Sequence, residues 1–238
     1  MKAYVPNFVT LMNLFCGCLA IIAILNHYYQ YVFLIMIFAF ITDFADGLLA
    51  RLLKVKSPLG AELDSLADMV SFGLVPGAML YILLQNSLNG DLLLSFSFNW
   101  KAMVGFLVTL FSALRLAKFN IDTRQSSGFL GLATPAAAAF VTGVHLIYYD
   151  QSLGYREWAG NLWFLYFSTV AISFLLVSEI PMFSFKYEHM RWRGNEVRFT
   201  FIILCLILLF TLKILAIPIL VTLYVLLSIS LAIFAPKS

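Results

Sequence analysis

Charged residues are scarce in this chain, and cysteines are scarcer still. Only 11% of its 238 residues are Asp, Glu, Lys or Arg, whereas 62% are hydrophobic. So few charged side chains could not cover a soluble domain with such an apolar interior, and the same composition excludes intrinsic disorder. A disulfide-rich scaffold is excluded as well, because three cysteines cannot staple a chain of this length.

Long apolar runs take up most of the sequence. A helix needs about 20 apolar residues to span a bilayer, so the runs predict an all-α polytopic membrane protein with about eight transmembrane helices. We place these helices at about 8–26, 31–52, 59–85, 101–119, 132–149, 160–180, 197–212 and 215–235. The last two form one stretch that is too long for a single span, and Lys213 and Pro218 favour a break between them.

Basic residues are unevenly distributed between the predicted loops. With the amino terminus in the cytoplasm, most of the 15 Lys and Arg residues fall on the inner side, and only Lys101, Arg156 and Lys213 fall outside. The inner ones are Lys2, Arg51, Lys54, Lys56, Arg115, Lys118, Arg124, Lys186, Arg191, Arg193, Arg198 and Lys237. This asymmetry follows the positive-inside rule and predicts a multi-pass protein of the cell (inner) membrane, not a nucleic-acid-binding surface.

Four aspartates interrupt the apolar runs around one predicted cytoplasmic loop. Asp43 and Asp46 are three residues apart near the inner end of the second helix, and Asp64 and Asp68 are four apart near the start of the third. Each pair lies on one face of its helix. Because the connection between the helices is short, we expect antiparallel neighbours with both pairs at a similar depth. Charged residues inside membrane segments are costly and usually functional.

Carboxylates that converge in this way repel one another, so either they take up protons or cations neutralise them. Oxygen ligands without His or Cys suit Mg²⁺, Mn²⁺ or Ca²⁺, and four aspartates could bind two ions side by side. Paired ions can hold phosphate oxygens and stabilise the attacking and leaving oxygens of a displacement. The pattern therefore predicts a divalent-metal site that acts on phosphate.

The residues around the aspartates also fit phosphate chemistry. Gly47 lets a ligand approach closely, and Ala50 leaves further room on the same helix. Arg51 can donate a bidentate pair of hydrogen bonds to a phosphate. Ser57 adds a hydroxyl in the loop, and Gly60 permits close packing at the start of the next helix.

This segment resembles the signature of the CDP-alcohol phosphotransferase family. Every fixed position of that signature is matched by Asp43-x2-Asp46-Gly47-x2-Ala50-Arg51-x8-Gly60-x3-Asp64-x3-Asp68. The resemblance implies a six-helix core (about 1–180), followed here by an additional C-terminal helical pair (about 197–235), in a protein that is usually a homodimer.

The resemblance also implies roles for individual residues. Asp43, Asp46, Asp64 and Asp68 would bind two divalent metal ions, and Asp68 would also be the catalytic base that deprotonates the acceptor alcohol. The residues implied to contact the CDP-lipid are Asn7, Thr10, Gly47, Ala50, Arg51, Ser57 and Gly60.

Other segments resemble the branch of this family that transfers a phosphatidyl group from CDP-diacylglycerol to L-serine. These segments are 6–10, 13–17, 114–120, 134–138 and 179–186, with Lys118 where we expect Arg and Ala133 where we expect Pro. Arg115 and Lys118 lie about one turn apart and are candidates to hold the serine carboxylate, with Asn120 or a motif aspartate near the ammonium. Glycerol 3-phosphate would also use cations, so it and inositol stay open as acceptors.

An alternative from another class is a cation transporter or channel, because embedded carboxylates could form an ion pathway. Gly47, Ala50 and Arg51 favour a diphosphate site, since a cation pathway has little use for an arginine beside its acids. We therefore expect one transmembrane catalytic domain over residues 1–238, with its active site on the cytoplasmic side and with membrane lipids as its surroundings.

Overall fold

Nearly all of the described chain is helical. The computed structural model describes residues 4–55, 57–89, 99–122, 129–183 and 195–234. Its α-helices are α1 (Tyr4–Leu25), α2 (Tyr29–Leu52), α3 (Pro58–Asp68), α4 (Val75–Asn89), α5 (Leu107–Ile121), α6 (Thr134–Tyr149), α7 (Arg156–Ala159), α8 (Leu162–Val177), α9 (Glu196–Leu212) and α10 (Ala216–Phe234). Two short strands, β1 (Phe129–Leu130) and β2 (Pro181–Met182), pair antiparallel.

The all-α prediction is confirmed, and each of the eight predicted helices has a counterpart among these elements. The third is one continuous helical segment of 31 residues, Pro58–Leu88, in which a π-helical turn (Met69–Leu74) joins α3 to α4. By length and composition, five segments of the described ranges can cross a membrane: Tyr4–Leu25, Tyr29–Leu52, Pro58–Leu88, Ala102–Ile121 and Glu196–Ile233. These helices indicate a multi-pass membrane protein, although α6 and α8 are shorter than a full span, with 16 residues each.

The predicted break between the last two helices is confirmed. A 3₁₀ turn (Lys213–Leu215) separates α9 from α10, and Lys213 adopts a positive φ of 51°. Few non-glycine residues adopt that conformation, so it marks a true interruption of the helix. Pro218 lies in the first turn of α10, where its missing N–H group costs no helical hydrogen bond.

Part of the charge asymmetry cannot be compared with the structure. Seven of the basic residues that were assigned to the inner side lie outside the described ranges: Lys2, Lys56, Arg124, Lys186, Arg191, Arg193 and Lys237. The direction in which the chain crosses the membrane therefore stays a prediction from the sequence.

Close helix packing depends on a small residue at Gly105, in the turn Ala102–Phe106 that precedes α5. A Cβ atom on Gly105 would lie 2.6 Å from the backbone nitrogen of Tyr81 and 2.9 Å from the carbonyl carbon of Leu80. Both atoms belong to the backbone of α4, which cannot move aside as a flexible side chain could. Gly105 therefore sets the distance between this turn and α4.

We predict that Gly105→Ala destabilises the protein by about 1–3 kcal/mol, because the added methyl group pushes α4 away. The measurement is the thermal unfolding midpoint of the purified protein in detergent. Gly47→Ala is the matched control, since a Cβ atom there would meet nothing within 4 Å. Equal midpoints for the two variants would contradict this account of the packing.

Candidate active site

Three of the four predicted aspartates meet between α2 and α3. These two helices make few contacts with each other, contrary to the expected direct packing, because both pack against α1. Each of Asp43, Asp64 and Asp68 offers a carboxylate oxygen, and these oxygens all lie within 4.8 Å of one another. Asp43 comes from α2, and the other two lie one turn apart on α3. Asp68 is buried, whereas Asp43 is partly exposed. The expected convergence of the two pairs is thus found for these three residues.

The chain reverses direction tightly between the two helices. Lys54 follows the end of α2 with a positive φ of 53°, and the Val55 N–H group donates to the Ala50 carbonyl at 3.0 Å. Ser57 then caps α3, because its hydroxyl accepts a hydrogen bond from the Gly60 N–H group at 3.0 Å. Pro58 occupies the first turn, where its ring favours helix initiation. This reversal places the aspartates of α2 opposite those of α3.

Asp46 is not part of the three-residue cluster. It is 6% exposed, and its Oδ2 atom has no hydrogen-bond partner. Its carboxylate lines the adjoining cavity together with Asp64. The expectation that all four aspartates share one cluster is therefore met by three residues, with the fourth on the cavity wall.

The cavity between α1, α2 and α3 has a volume of about 250 Å³. Its wall is formed by Pro6, Asn7, Thr10, Asp46, Gly47, Ala50, Val55, Ser57, Gly60, Ala61 and Asp64. All the predicted CDP-lipid contacts except Arg51 line this cavity. Arg51 is exposed, and its Nε–H group donates to the Gly47 carbonyl at 3.0 Å.

Asn13 belongs to the site, although the sequence analysis gave it no role of its own. Its side chain is fully buried in α1, and its Nδ2 atom donates to Asp68 Oδ1 at 3.4 Å. Its carbonyl accepts a hydrogen bond from the Ser71 hydroxyl at 2.9 Å. The signal in the sequence was the spacing of Asn7, Thr10 and Asn13, which recur every three residues along one face of an otherwise apolar helix.

The π-helical turn begins directly after Asp68. It holds both Ser71, which bonds to α1, and Gly73, whose carbonyl accepts a hydrogen bond from the Thr109 hydroxyl of α5 at 2.9 Å. Turns of this kind are rare and occur frequently at functional sites. Here the turn ties the helix that bears Asp68 to neighbours on two sides.

The predicted acceptor residues fall into two groups. Arg115 is buried, and its Nη1 atom donates to the Thr134 hydroxyl at 3.4 Å. It is also near enough to Asp68 for the two charges to interact. Arg115 and Lys118 line a narrow cleft of about 20 Å³, whose other walls include Asp122, Ser178 and Glu179.

Asn120 lies apart from this cleft. Its side-chain amide is hydrogen-bonded to the Ser65 hydroxyl, with an Nδ2–Oγ distance of 3.0 Å. Both groups are exposed, and the bond joins the end of α5 to α3. The structure therefore does not place Asn120 with Arg115 and Lys118 in one binding site.

A family model described as CDP-alcohol phosphatidyltransferase matches residues 3–234. This chain belongs to that family. Curated relatives named CDP-diacylglycerol–serine O-phosphatidyltransferase are similar to it. One from Helicobacter pylori is 31% identical over 232 residues, which cover 96% of this chain and 91% of that protein. One from Bacillus subtilis is 31% identical over 187 residues, which cover 77% of this chain and 92% of that protein.

A Mycobacterium bovis protein of the same name is 33% identical over 184 residues. The match covers 74% of this chain and 60% of that protein, so the chain spans only part of the mycobacterial relative's length.

The aspartates of this site fit divalent metal ions. Three carboxylate oxygens within 4.8 Å of one another form a hard-oxygen donor set, and the buried Oδ2 atom of Asp46 adds a further unpaired acceptor. A bound cation would offset both the mutual repulsion of the cluster and the cost of burying an unpaired carboxylate oxygen. The donor set contains no His or Cys, which favours Mg²⁺, Mn²⁺ or Ca²⁺ over zinc.

We predict that Asp43→Asn and Asp64→Asn each weaken Mn²⁺ binding by about tenfold or more, because each removes a charged ligand. Isothermal titration calorimetry on the detergent-solubilised protein measures this affinity without any substrate. Glu62→Gln is the matched control, since Glu62 is exposed on α3 and lies outside the cluster. If all three variants bound Mn²⁺ as the unsubstituted protein does, the cluster would not be a metal site.

Proposed function

We propose that this protein transfers the phosphatidyl group of CDP-diacylglycerol to the hydroxyl group of L-serine, giving phosphatidylserine and CMP. The main support is the position of the aspartate cluster at the wall of the cavity, where Asp64 belongs to both. Family membership supports the reaction class, and the names of the relatives from Helicobacter pylori and Bacillus subtilis support serine as the acceptor.

The cytidine diphosphate group binds in the cavity, and the acyl chains stay in the bilayer. Asn7, Thr10 and Ala50 line the walls, and Gly47 leaves open space toward the ligand. The amino terminus of α3 opens beside Ser57, and helix amino termini favour phosphate because their N–H groups are unpaired. Arg51 reaches the diphosphate after releasing the Gly47 carbonyl.

Asp43, Asp64 and Asp68, with Asp46 beside them, would hold two divalent ions. Such ions, when bound, neutralise the charge of the diphosphate and the charge that develops during transfer. The protein's own contribution is to keep these carboxylates close together before the substrate binds.

Asp68 is the base in this proposal. It accepts a hydrogen bond from the Asn13 amide at 3.4 Å, which fixes the direction of its carboxylate. The proton of the serine hydroxyl moves to Asp68, and the serine oxygen forms a bond to the phosphorus that carries diacylglycerol. The bond between that phosphorus and the bridging oxygen breaks, and CMP leaves with the electron pair.

Arg115 and Lys118, which line one cleft, hold the serine carboxylate. Arg115 is the stronger candidate, because it is buried and near enough to Asp68 for the two charges to interact. Asn120 is the weaker one, since its amide is already hydrogen-bonded to Ser65 outside the cleft. The cytoplasmic orientation, the homodimer and the single catalytic domain stay predictions.

The first test is an acceptor screen with the purified protein, CDP-diacylglycerol in mixed micelles, and Mg²⁺ or Mn²⁺. We expect CMP release with L-serine and little with glycerol 3-phosphate or inositol. CMP release with one of the other alcohols would correct the acceptor. No release with any alcohol would contradict the reaction, and metal-ion flux into proteoliposomes would then favour a transporter.

We predict that Asp68→Asn lowers the rate of CMP release by about 100-fold or more, because an amide cannot accept the serine proton. Size-exclusion chromatography in detergent checks that the variant is folded. Glu62→Gln, on an exposed position of the same helix, retains the full rate. Near-normal turnover by the Asp68 variant would remove this residue from the role of base.

A further inference from the structure

Two side chains of α10 hold the peptide groups of a single residue, Phe183, which directly follows β2. The Tyr224 hydroxyl donates to the Phe183 carbonyl at 3.0 Å, and the Phe183 N–H group donates to the Ser228 hydroxyl at 3.0 Å. Tyr224 and Ser228 are four residues apart and so lie on one face of the helix. Ser228 is fully buried, although α10 lies in a strongly apolar segment. Both backbone groups of Phe183 are thus fixed by the C-terminal helix.

The two hydrogen bonds to Phe183 also hold the strand pair of β1 and β2. This strand pair borders the cleft that Arg115 and Lys118 line, called the acceptor cleft below. β2 pairs with β1, and Gly131 directly after β1 donates its N–H group to the Ile180 carbonyl at 3.0 Å. Gly131 has a φ of +72°, and a Cβ atom there would lie 2.8 Å from the Ser178 carbonyl oxygen. The connection into α6 is therefore held tightly against the end of α8, where Ser178 and Leu130 form walls of the cleft.

Arg115 links the start of α6 to the aspartates of the candidate active site. Its Nη1 atom donates to Thr134, the first residue of α6, at 3.4 Å. The guanidinium carbon also lies 5.6 Å from the centre of the Phe119 ring. Arg115 is near enough to both Asp68 and Tyr224 for electrostatic interaction. The guanidinium therefore interacts with an aspartate of the cluster and with a residue of α10.

We propose that Tyr224 and Ser228 are positioning residues for the acceptor: by holding Phe183 they fix the strand pair and the start of α6, and so set the position of Arg115. This inference rests on the proposed function. It gives the C-terminal helical pair a task within the reaction, namely to set the affinity for the acceptor carboxylate. The CDP-lipid cavity is formed by α1, α2 and α3 and does not depend on these contacts.

The test compares Ser228→Ala and Tyr224→Phe with the unsubstituted protein in the CMP-release assay. Loss of a buried hydrogen bond lets Phe183 move, and we expect the KM for serine to rise by about three- to tenfold. The kcat and the KM for CDP-diacylglycerol stay within twofold, because the base and the lipid cavity are unchanged. Ser228→Thr keeps the hydroxyl group and restores the KM for serine.

Ser230→Ala is the matched control, because it makes the same chemical change two residues further along α10. Within the described part of the chain, the Ser230 hydroxyl donates to the Leu227 carbonyl of its own helix, at 2.8 Å. It should behave as the unsubstituted protein does.

An unchanged KM for serine in both Ser228→Ala and Tyr224→Phe would overturn the inference. A uniform loss of kcat and of affinity for both substrates would also overturn it, since that pattern indicates a merely structural role. An unsubstituted protein that releases no CMP with any alcohol contradicts the proposed function itself. The two failures are therefore distinguishable.

Discussion

Neighbouring carboxylates that repel one another form the centre of the candidate active site. Oxygens of Asp43, Asp64 and Asp68 lie within 4.8 Å of one another at the junction of two apolar helices. Like charges at this separation repel strongly where water is partly excluded. The chain keeps them together by a tight reversal between α2 and α3, and by the bonds of Asn13 to Asp68 and Ser71. Protons or cations must offset this repulsion, and the donor set fits a divalent ion.

The binding sites proposed for the two substrates are formed by different parts of the chain. The first three helices form the cavity assigned to the CDP-lipid. The cleft assigned to the acceptor lies between the ends of α5 and α8 and the strand β1. Asp68 accepts a hydrogen bond from Asn13 of α1 and interacts electrostatically with Arg115.

Much of the fold and of the lipid side of the site could be predicted from the sequence. Apolar length predicts the helices, and the conformation of Lys213 supports the predicted break. The aspartate pairs could be placed together because their spacings match one helical turn and the loop between them is short. The contact of Arg51 could not be predicted in this way. An arginine suits a phosphate, but its Nε–H group donates to the Gly47 carbonyl in the structure. A residue type reveals what a side chain can bind and not which neighbour it contacts.

The sequence does not identify residues whose roles depend on tertiary contacts. Asn13 contacts Asp68 and Ser71 because α1 crosses the π-helical turn that follows Asp68. Ser228 is one of several hydroxyl residues in an apolar helix, and nothing local distinguishes it from Ser230. Its partner Phe183 lies 45 residues earlier in the chain, so the contact depends on how α10 packs.

Anomalous diffraction from crystals grown with Mn²⁺ tests directly whether the aspartates bind metal. We expect anomalous peaks between α2 and α3, within bonding distance of Asp43, Asp64 and Asp68, with Asp46 at a second ion. Peaks located elsewhere, or an aspartate cluster that stays free of manganese at saturating concentration, would contradict this expectation.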